Sequence, residues 1–277
     1  MQYDDGVIAF PIEAGLSENL AARKHRLIWK YKATRWGKYD VLLFTKEFSS
    51  AADVKMTIGE NQLTRTISKP LSPNRLAKHH HQILLGTVYL AKAGPLNIDL
   101  TVPNSFQPEL LVLKPAAEGK PIVQNNQNGE IVMHARDATV LGTVLRYEPK
   151  PEKNTLGYWI NKKDRAIWEF QLNQPGKYEV EILQGCGTGQ GGSEVYLEIK
   201  SINKQAENKQ AEKAKPQRLP WVVIDTGHFQ NFKPFQLGMV ELKEKGAKHR
   251  LTVYVKQKKQ KAVMDLRHVI LRPVNKL

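Results

Sequence analysis

Cysteine is nearly absent from this chain: its 277 residues include one, Cys186. No intrachain disulfide can form, so the fold must be held by its core alone. That usage fits cytosol or periplasm and selects neither. Cys186 sits among glycines, in Gln184-Gly185-Cys186-Gly187-Thr188-Gly189-Gln190-Gly191-Gly192. A reactive thiol needs a basic partner, and the sequence fixes none beside it. The residue reads as a small packed group in a turn. Long apolar runs are missing too. No window approaches the roughly 20 apolar residues that span a bilayer. The opening residues Met1 to Gly6 have no basic start and no apolar stretch, so they do not read as a signal peptide.

Enzyme signatures are equally scarce. There is no Walker loop, no Gly-x-Ser-x-Gly elbow, no zinc-spaced cysteine set and no His-Glu-x-x-His. The glycine-rich run Gly187–Gly192 precedes a strand pattern rather than a helix, which makes it a poor phosphate cradle. His79-His80-His81 invites a metal reading, but successive residues of a strand point to opposite faces. No metal site is assigned there. Carboxylates are scattered, and no spacing selects a hydrolase pair. The chain is therefore expected to be no enzyme and to carry no cofactor.

Acidic residues are outnumbered. There are 27 Asp and Glu against 42 Lys and Arg, a formal charge of +15. Residues 1–118 hold 15 basic and 11 acidic side chains, and the remainder holds 27 and 16. Two segments concentrate the excess: the Lys/Gln/Ala/Glu stretch Lys200–Arg218, and Lys256-Gln257-Lys258-Lys259-Gln260-Lys261. Such a field suits polyanions, or it is a solvated lysine-rich face.

What is present is a repetition. Trp29 stands eight residues before Gly37-Lys38-Tyr39-Asp40-Val41, and Trp168 stands eight before Gly176-Lys177-Tyr178-Glu179-Val180. Leu85-Gly86-Thr87-Val88 is matched by Leu237-Gly238-Met239-Val240. Each copy closes on Leu-basic-Pro, at Leu113-Lys114-Pro115 and Leu271-Arg272-Pro273. Two long copies imply two related globular domains, not a solenoid. Their bounds are set at 1–118 and 119–277, with a linker near Ala116–Pro121 and a Lys-rich insertion near 200–218 in the second.

Alternation of period two marks strands. Leu27, Trp29, Tyr31 and Ala33 share one face, as do Ala166, Trp168, Phe170 and Leu172. Tyr39, Val41 and Leu43, and Tyr178, Val180 and Ile182, continue after each glycine. The pattern predicts a half-buried antiparallel hairpin at each site, with both tryptophans inward. Leu16–Arg26 reads as a short helix or a loop. The segment Ile131–Gly142 has no visible counterpart in the first copy. Many short strands with Gly, Pro and Asn turns give an all-β fold, tandem jelly-roll β-sandwiches.

The second copy carries a longer series of motifs. They run His134-Ala135-Arg136-Asp137-Ala138, Gly157-Tyr158-Trp159, Trp168-Glu169-Phe170, Pro175-Gly176-Lys177-Tyr178, Gly185–Val195, Asp225–Phe232 and Val263–Arg267. Taken in that order, they resemble the galactose-binding-like sandwiches of carbohydrate-binding module families 6 and 35, as appended to bacterial α-L-fucosidases and sulfatases. The resemblance covers about Ile131–Pro273, and the first copy only through the repeated motifs. It implies a sugar held in loops at one end of the sandwich, stacked on aromatic rings with amides and carboxylates around it. The residues it points to are Tyr158, Trp159, Phe229, Asn231 and Asp265. Phe229, Gln230 and Asn231 would lie in a glycine-bearing loop. On the alternative reading, Tyr158 and Trp159 simply fill the end of the sandwich. The resemblance also brings a structural calcium near an acidic opening motif, but the matching stretch here is His134-Ala135-Arg136, and no calcium is expected.

The expected function is non-catalytic carbohydrate binding, for an anionic polysaccharide, by a secreted or periplasmic protein whose signal peptide is not in this chain. The expected partners are a polysaccharide or oligosaccharide and a polysaccharide-processing enzyme. Two alternatives stay open: a structural or protein–protein interaction module, and a polyanion binder. Nucleic acid is the less favoured partner.

Overall fold

The structure is a computed structural model and describes residues 1–20, 24–46, 51–68, 81–202 and 215–274. His79, His80 and most of the Lys-rich insertion lie outside the described residues. His81 is described and is buried. Apart from two single 3-10 turns, the regular elements are strands. The chain divides into two compact units, Met1–Ala116 and Ala117–Leu277.

The first unit contains β1 (Ile8–Pro11), β2 (Leu16–Leu20), β3 (Lys24–Ala33), β4 (Gly37–Thr45), β5 (Ala52–Ile58), β6 (Asn61–Ile67), β7 (His81–Leu90), β8 (Gly94–Pro103) and β9 (Pro108–Pro115). They form two sheets, ordered β1-β9-β4-β7 and β2-β3-β8-β5-β6. The second unit contains β10 (Ile131–His134), β11 (Thr139–Leu141), β12 (Arg146–Glu148), β13 (Thr155–Gly157), β14 (Arg165–Gln171), β15 (Gly176–Cys186), β16 (Glu194–Ser201), β17 (Gln217–Val222), β18 (His228–Leu242), β19 (Lys248–Gln257) and β20 (Asp265–Pro273). One sheet runs β12-β13-β20-β15-β18, with β10 also paired to β20, and the other runs β11-β14-β19-β16-β17. Without β12 and β13, the two units have the same strand order in both sheets.

The shared motifs have physical roles at matching places. Trp29 and Trp168 are both buried in the core of their unit. Each indole N–H donates to the carbonyl of the residue that ends the unit's first strand, Pro11 at 3.2 Å and His134 at 2.8 Å. A buried indole needs such an acceptor. The Leu-Gly pairs are β-bulges. The ladder slips between Val41 and Leu42 opposite Gly86, and between Val180 and Glu181 opposite Gly238. Gly86 and Gly238 have φ of +157° and +133°, which a side chain would strain.

Three expectations are corrected. The strands on either side of Gly37 and Gly176 do not form hairpins. β3 pairs with β2 and β8 while β4 pairs with β7 and β9, and β14 and β15 part in the same way. The chain crosses from one sheet to the other at each turn. Both strands bury the same parity because they face one core from opposite sides. The described parts of Leu16–Arg26 are strand, not helix or loop: β2 pairs with β3 from Leu16↔Ile28 to Leu20↔Lys24. The segment Ile131–Gly142 does have a counterpart, since β10 and β11 occupy the places of β1 and β2.

Candidate functional site

The inserted hairpin β12–β13 makes one wall of a cleft in the second unit. Its strands pair from Arg146↔Gly157 to Glu148↔Thr155, and Leu156 pairs with Leu266 of β20. Arg267 fixes the hairpin tip: its guanidinium donates to the carbonyls of Glu152 and Lys153 at 2.8 and 3.1 Å. Just past β13, Tyr158 adopts a φ of +61°. That conformation is uncommon for a bulky residue and needs support from its surroundings. Support comes from Arg146, whose guanidinium lies 3.4 Å from the centre of the Tyr158 ring. Tyr158 is 43% exposed, whereas Trp159, the next residue, is 1% exposed.

The second wall is built by glycine. A Cβ on Gly185 would sit 1.9 Å from the backbone oxygen of Phe229, and one on Gly187 would sit 2.6 Å from its ring. The run Gly185–Gly187 is therefore the bed on which Phe229 lies. Asp225 closes the neighbouring turn, accepting hydrogen bonds from the amides of Gly189 and Gly227. Phe229, Gln230 and Asn231 lie at the start of strand β18, not in a loop.

The cleft has a volume of about 250 Å³ and is lined by Glu148, Lys153, Tyr158, Trp159, Ile160, Phe229, Gln230, Ala262, Met264 and Asp265. Two buried carboxylates face it. A Cβ on Gly157 would lie 2.2 Å from Glu148 Oε2 and 3.4 Å from Asp265 Oδ1, so only a glycine fits between them. Lys153 Nζ donates to Glu148 Oε1 at 2.6 Å. Gln230 Nε2 donates to Asp265 Oδ2 at 3.3 Å. Burial, and then the nearby Glu148 charge, push the Asp265 carboxyl up to about 7. The indole N–H of Trp159 is buried and has no partner among the described residues. A buried donor without an acceptor is costly, and a ligand hydroxyl or a water would satisfy it. The Cys186 thiol is pushed up to about 11, by burial first and then by Asp225 and Asp265. It has no thiolate character near neutral pH.

Of the residues singled out in the sequence, Tyr158, Trp159, Phe229 and Asp265 line this one cleft. Tyr158 offers an exposed ring, and Trp159 forms the floor. Asn231 does not line it: the side chain is exposed and its amide donates to the carbonyl of Thr226. Sequence reasoning missed Glu148, Lys153 and Arg146. The hairpin that carries them has no counterpart in the first copy, and that lack of a partner in the alignment of the two halves was the available signal.

The stretch His134-Ala135-Arg136 leads into a single 3-10 turn, Ala135–Asp137. Its residues do not fit a calcium ion, which takes six to eight oxygen ligands. The His134 carbonyl serves Trp168, and Asp137, the one carboxylate, accepts from the Lys120 amide and pairs with Arg136. Among the described residues, no group of three His, Cys, Asp or Glu is placed to hold a metal ion. Nor is any described helix long and apolar enough to cross a membrane.

Fold and cleft together define a class: an all-β protein of two jelly-roll sandwiches, the second with a cleft where strand ends converge. No protein-family model matches the chain, and no curated protein matches it. Solved structures of similar fold include a family 35 carbohydrate-binding module from Clostridium thermocellum. It is 11% identical with a TM-score of 0.38, over 52% of this chain and 98% of that one. Another is the C-terminal family 6 module of a laminarinase from Zobellia galactanivorans, 13% identical with a TM-score of 0.36, over 52% and 98%. A xanthan lyase from Paenibacillus is 10% identical with a TM-score of 0.37. It matches 98% of this chain, which spans 25% of the lyase.

Proposed function

We propose that the second unit is a non-catalytic saccharide-binding module and that its ligand sits in the cleft at Tyr158. The observation that carries this reading is the grouping of an exposed, conformationally fixed aromatic ring with several polar groups around one small cavity. A pyranose offers a C–H face to a ring and hydroxyls to amides and carboxylates. Tyr158 supplies the ring, which is 43% exposed with the Arg146 guanidinium packed over it. Asp265, Gln230 and Glu148 supply acceptors and donors. A volume of about 250 Å³ suits one or two sugar residues rather than a buried polymer.

The ligand is an anionic polysaccharide. The loop that precedes Ala262 carries Lys258, Lys259 and Lys261, and it is fixed beside the cleft. The Lys259 amide donates to Ser193 Oγ at 3.1 Å, Ala262 to Gln190 Oε1 at 3.1 Å, and Val263 to the Trp159 carbonyl at 2.8 Å. A sulfate or carboxylate on the sugar outside the cleft would meet these ammonium groups. The protein acts outside the cytoplasm as the accessory part of a polysaccharide-processing enzyme. The carboxyl groups are read as hydrogen-bonding partners for sugar hydroxyls, with Glu148 oriented by Lys153.

The test is a glycan array with neutral, uronic and sulfated oligosaccharides, probed with the full chain. Binding of an acidic glycan, with weaker binding of its neutral parent, is expected. Silence across the array together with capture of a protein partner would favour the interaction-module reading.

A further inference from the structure

The outer face of the second unit's β11-β14-β19-β16-β17 sheet carries an arrangement that the cleft does not use. Tyr196 on β16 is opposite Tyr254 on β19. Their rings stack at 4.9 Å with an angle of 13° between planes. Arg218 on β17 lies 5.3 Å from the centre of the Tyr196 ring, and Arg165 on β14 lies 5.8 Å from that of Tyr254. Four adjacent strands thus present cation, ring, ring, cation in a row. The row faces outward, because the strand neighbours Ala166, Val253, Val195 and Leu197 are buried in the core.

One face of each ring meets the other tyrosine, and a guanidinium lies 5.3 or 5.8 Å from each ring centre. Little open ring face is left for a nucleobase or the C–H face of a sugar. What the row offers outward is donors, the groups that oxyanions accept: two phenol hydroxyls, the Arg165 guanidinium and the Arg218 N–H groups not held by Glu198. The acidic residues of this face are already engaged. Glu198 accepts from Arg218 at 2.7 Å, Glu194 from Lys256 at 2.8 Å, and Glu169 is bound by Lys248 and Arg250. Basic groups outnumber them on the face, so its field is positive. Strands lie about 4.8 Å apart, so the row spans on the order of 15 Å, room for several units of a polymer.

We infer that this face is a second binding surface, for a linear anionic polysaccharide recognised through its sulfate or carboxylate groups and not through ring stacking. It goes beyond the cleft reading and does not depend on it. Single-stranded nucleic acid is the poorer fit, because such binding draws on bases stacking against aromatic rings, and here little ring face is open.

The experiment is affinity electrophoresis of the full chain in gels containing dextran sulfate, polygalacturonate or neutral dextran. A separate binding titration uses a 20-mer of deoxythymidine. Retardation by dextran sulfate or polygalacturonate, but not dextran, is expected, and it should weaken with added salt. The arm that retards more tells sulfate from carboxylate. Arg165→Gln, and the double change Tyr196→Phe with Tyr254→Phe, which keeps the stack and removes both hydroxyls, should each lower affinity at least about threefold. Neither should move the thermal midpoint. In the Tyr158→Ala background, which removes the cleft's share of binding, retardation should persist and should still fall with the face variants. The inference is overturned by the absence of retardation, or by affinity that both variants leave intact. It is equally overturned if Tyr158→Ala, or neutralisation of Lys258, Lys259 and Lys261, abolishes the retardation, or if the oligonucleotide binds as tightly. Binding of a neutral oligosaccharide, lost in Tyr158→Ala, reports on the cleft alone and keeps the two readings separate.

Discussion

The two units share a strand order, and the second has two further described strands, β12 and β13, that the first lacks. Between β2 and β3 only residues 21–23 intervene, whereas residues 142–164 separate β11 from β14. That longer passage contains β12, β13, Tyr158 and Trp159, the wall and floor of the cleft. The sandwich accepts the addition because β13 joins the free side of β20, beside β10, and leaves the inner rows untouched. A second difference lies on the outer faces. The row Ala9, Val112, Leu42 and Leu84 in the first unit corresponds to Val132, Ile270, Glu181 and Gln236 in the second. The inner positions keep their character because the core demands close packing. The outer positions drift. The units are therefore alike between their sheets and unlike on this outer face, where Ala9, Leu42 and Val112 form a small buried cluster in the first unit only.

The largest expected effects test the shared part. Trp168 is 0% exposed and Trp29 is 5% exposed, beside a surface pocket of about 370 Å³. Trp168→Ala should cost about 4–5 kcal/mol and Trp29→Ala about 3 kcal/mol, within the range for large aromatic truncations. Hydrogen exchange resolved by unit would measure both. A smaller loss for Trp168 than for Trp29 would contradict the order that their burial predicts.

The next effect belongs to the second unit alone. The Asp265 carboxyl is raised from 3.8 to about 7 in the folded protein. The folded state therefore keeps a proton that the unfolded chain releases near pH 4. Stability from this group is whole below about pH 4, declines as pH rises, and is lost above about pH 7. The decline amounts to roughly 2–4 kcal/mol as an upper bound. Asp265→Asn should flatten it and leave the variant more stable than the parent at pH 8. Urea titrations at pH 4 to 8 would show this. A parent stability that does not change across that window would contradict it.

A smaller effect tests the glycine bed. Gly185→Ala places a methyl group against the Phe229 backbone oxygen and should cost about 1–3 kcal/mol, on the scale of overpacking. Gly94→Ala in the first unit meets nothing within 4 Å. Its cost should come from its φ of +132° alone. Comparing the two by chemical denaturation separates crowding from backbone strain.

Much of the fold was legible in the sequence, because burial on one face of a strand writes itself as period two. Trp29, Tyr39, Trp168 and Tyr178 are inward for that reason. The pairing of strands was not legible. Tyr39 continues the parity of Trp29 whether the chain folds back within a sheet or crosses to the opposite one, so alternation does not distinguish them. Leu16–Arg26 was obscured because β2 is an edge strand whose side chains are mostly exposed, which removes the alternation. At the site, Tyr158 and Asp265 were found through a resemblance of motifs. Glu148 and Lys153 were not, since a short polar hairpin carries no periodic signal. Asn231 was grouped with its neighbours, although its amide is held by the Thr226 carbonyl outside the cleft.

The most direct measurement of the central claim is saccharide binding by the full chain and by Tyr158→Ala, on whichever glycan the array returns. Tyr158 is 43% exposed and packs on Arg146 rather than in the core, so its removal should leave the thermal midpoint nearly unchanged. Calorimetric titration should then show binding weakened by about 1–3 kcal/mol, the scale of an aromatic anchor. Undiminished binding in the variant, with the fold intact, would place the saccharide elsewhere and contradict the account.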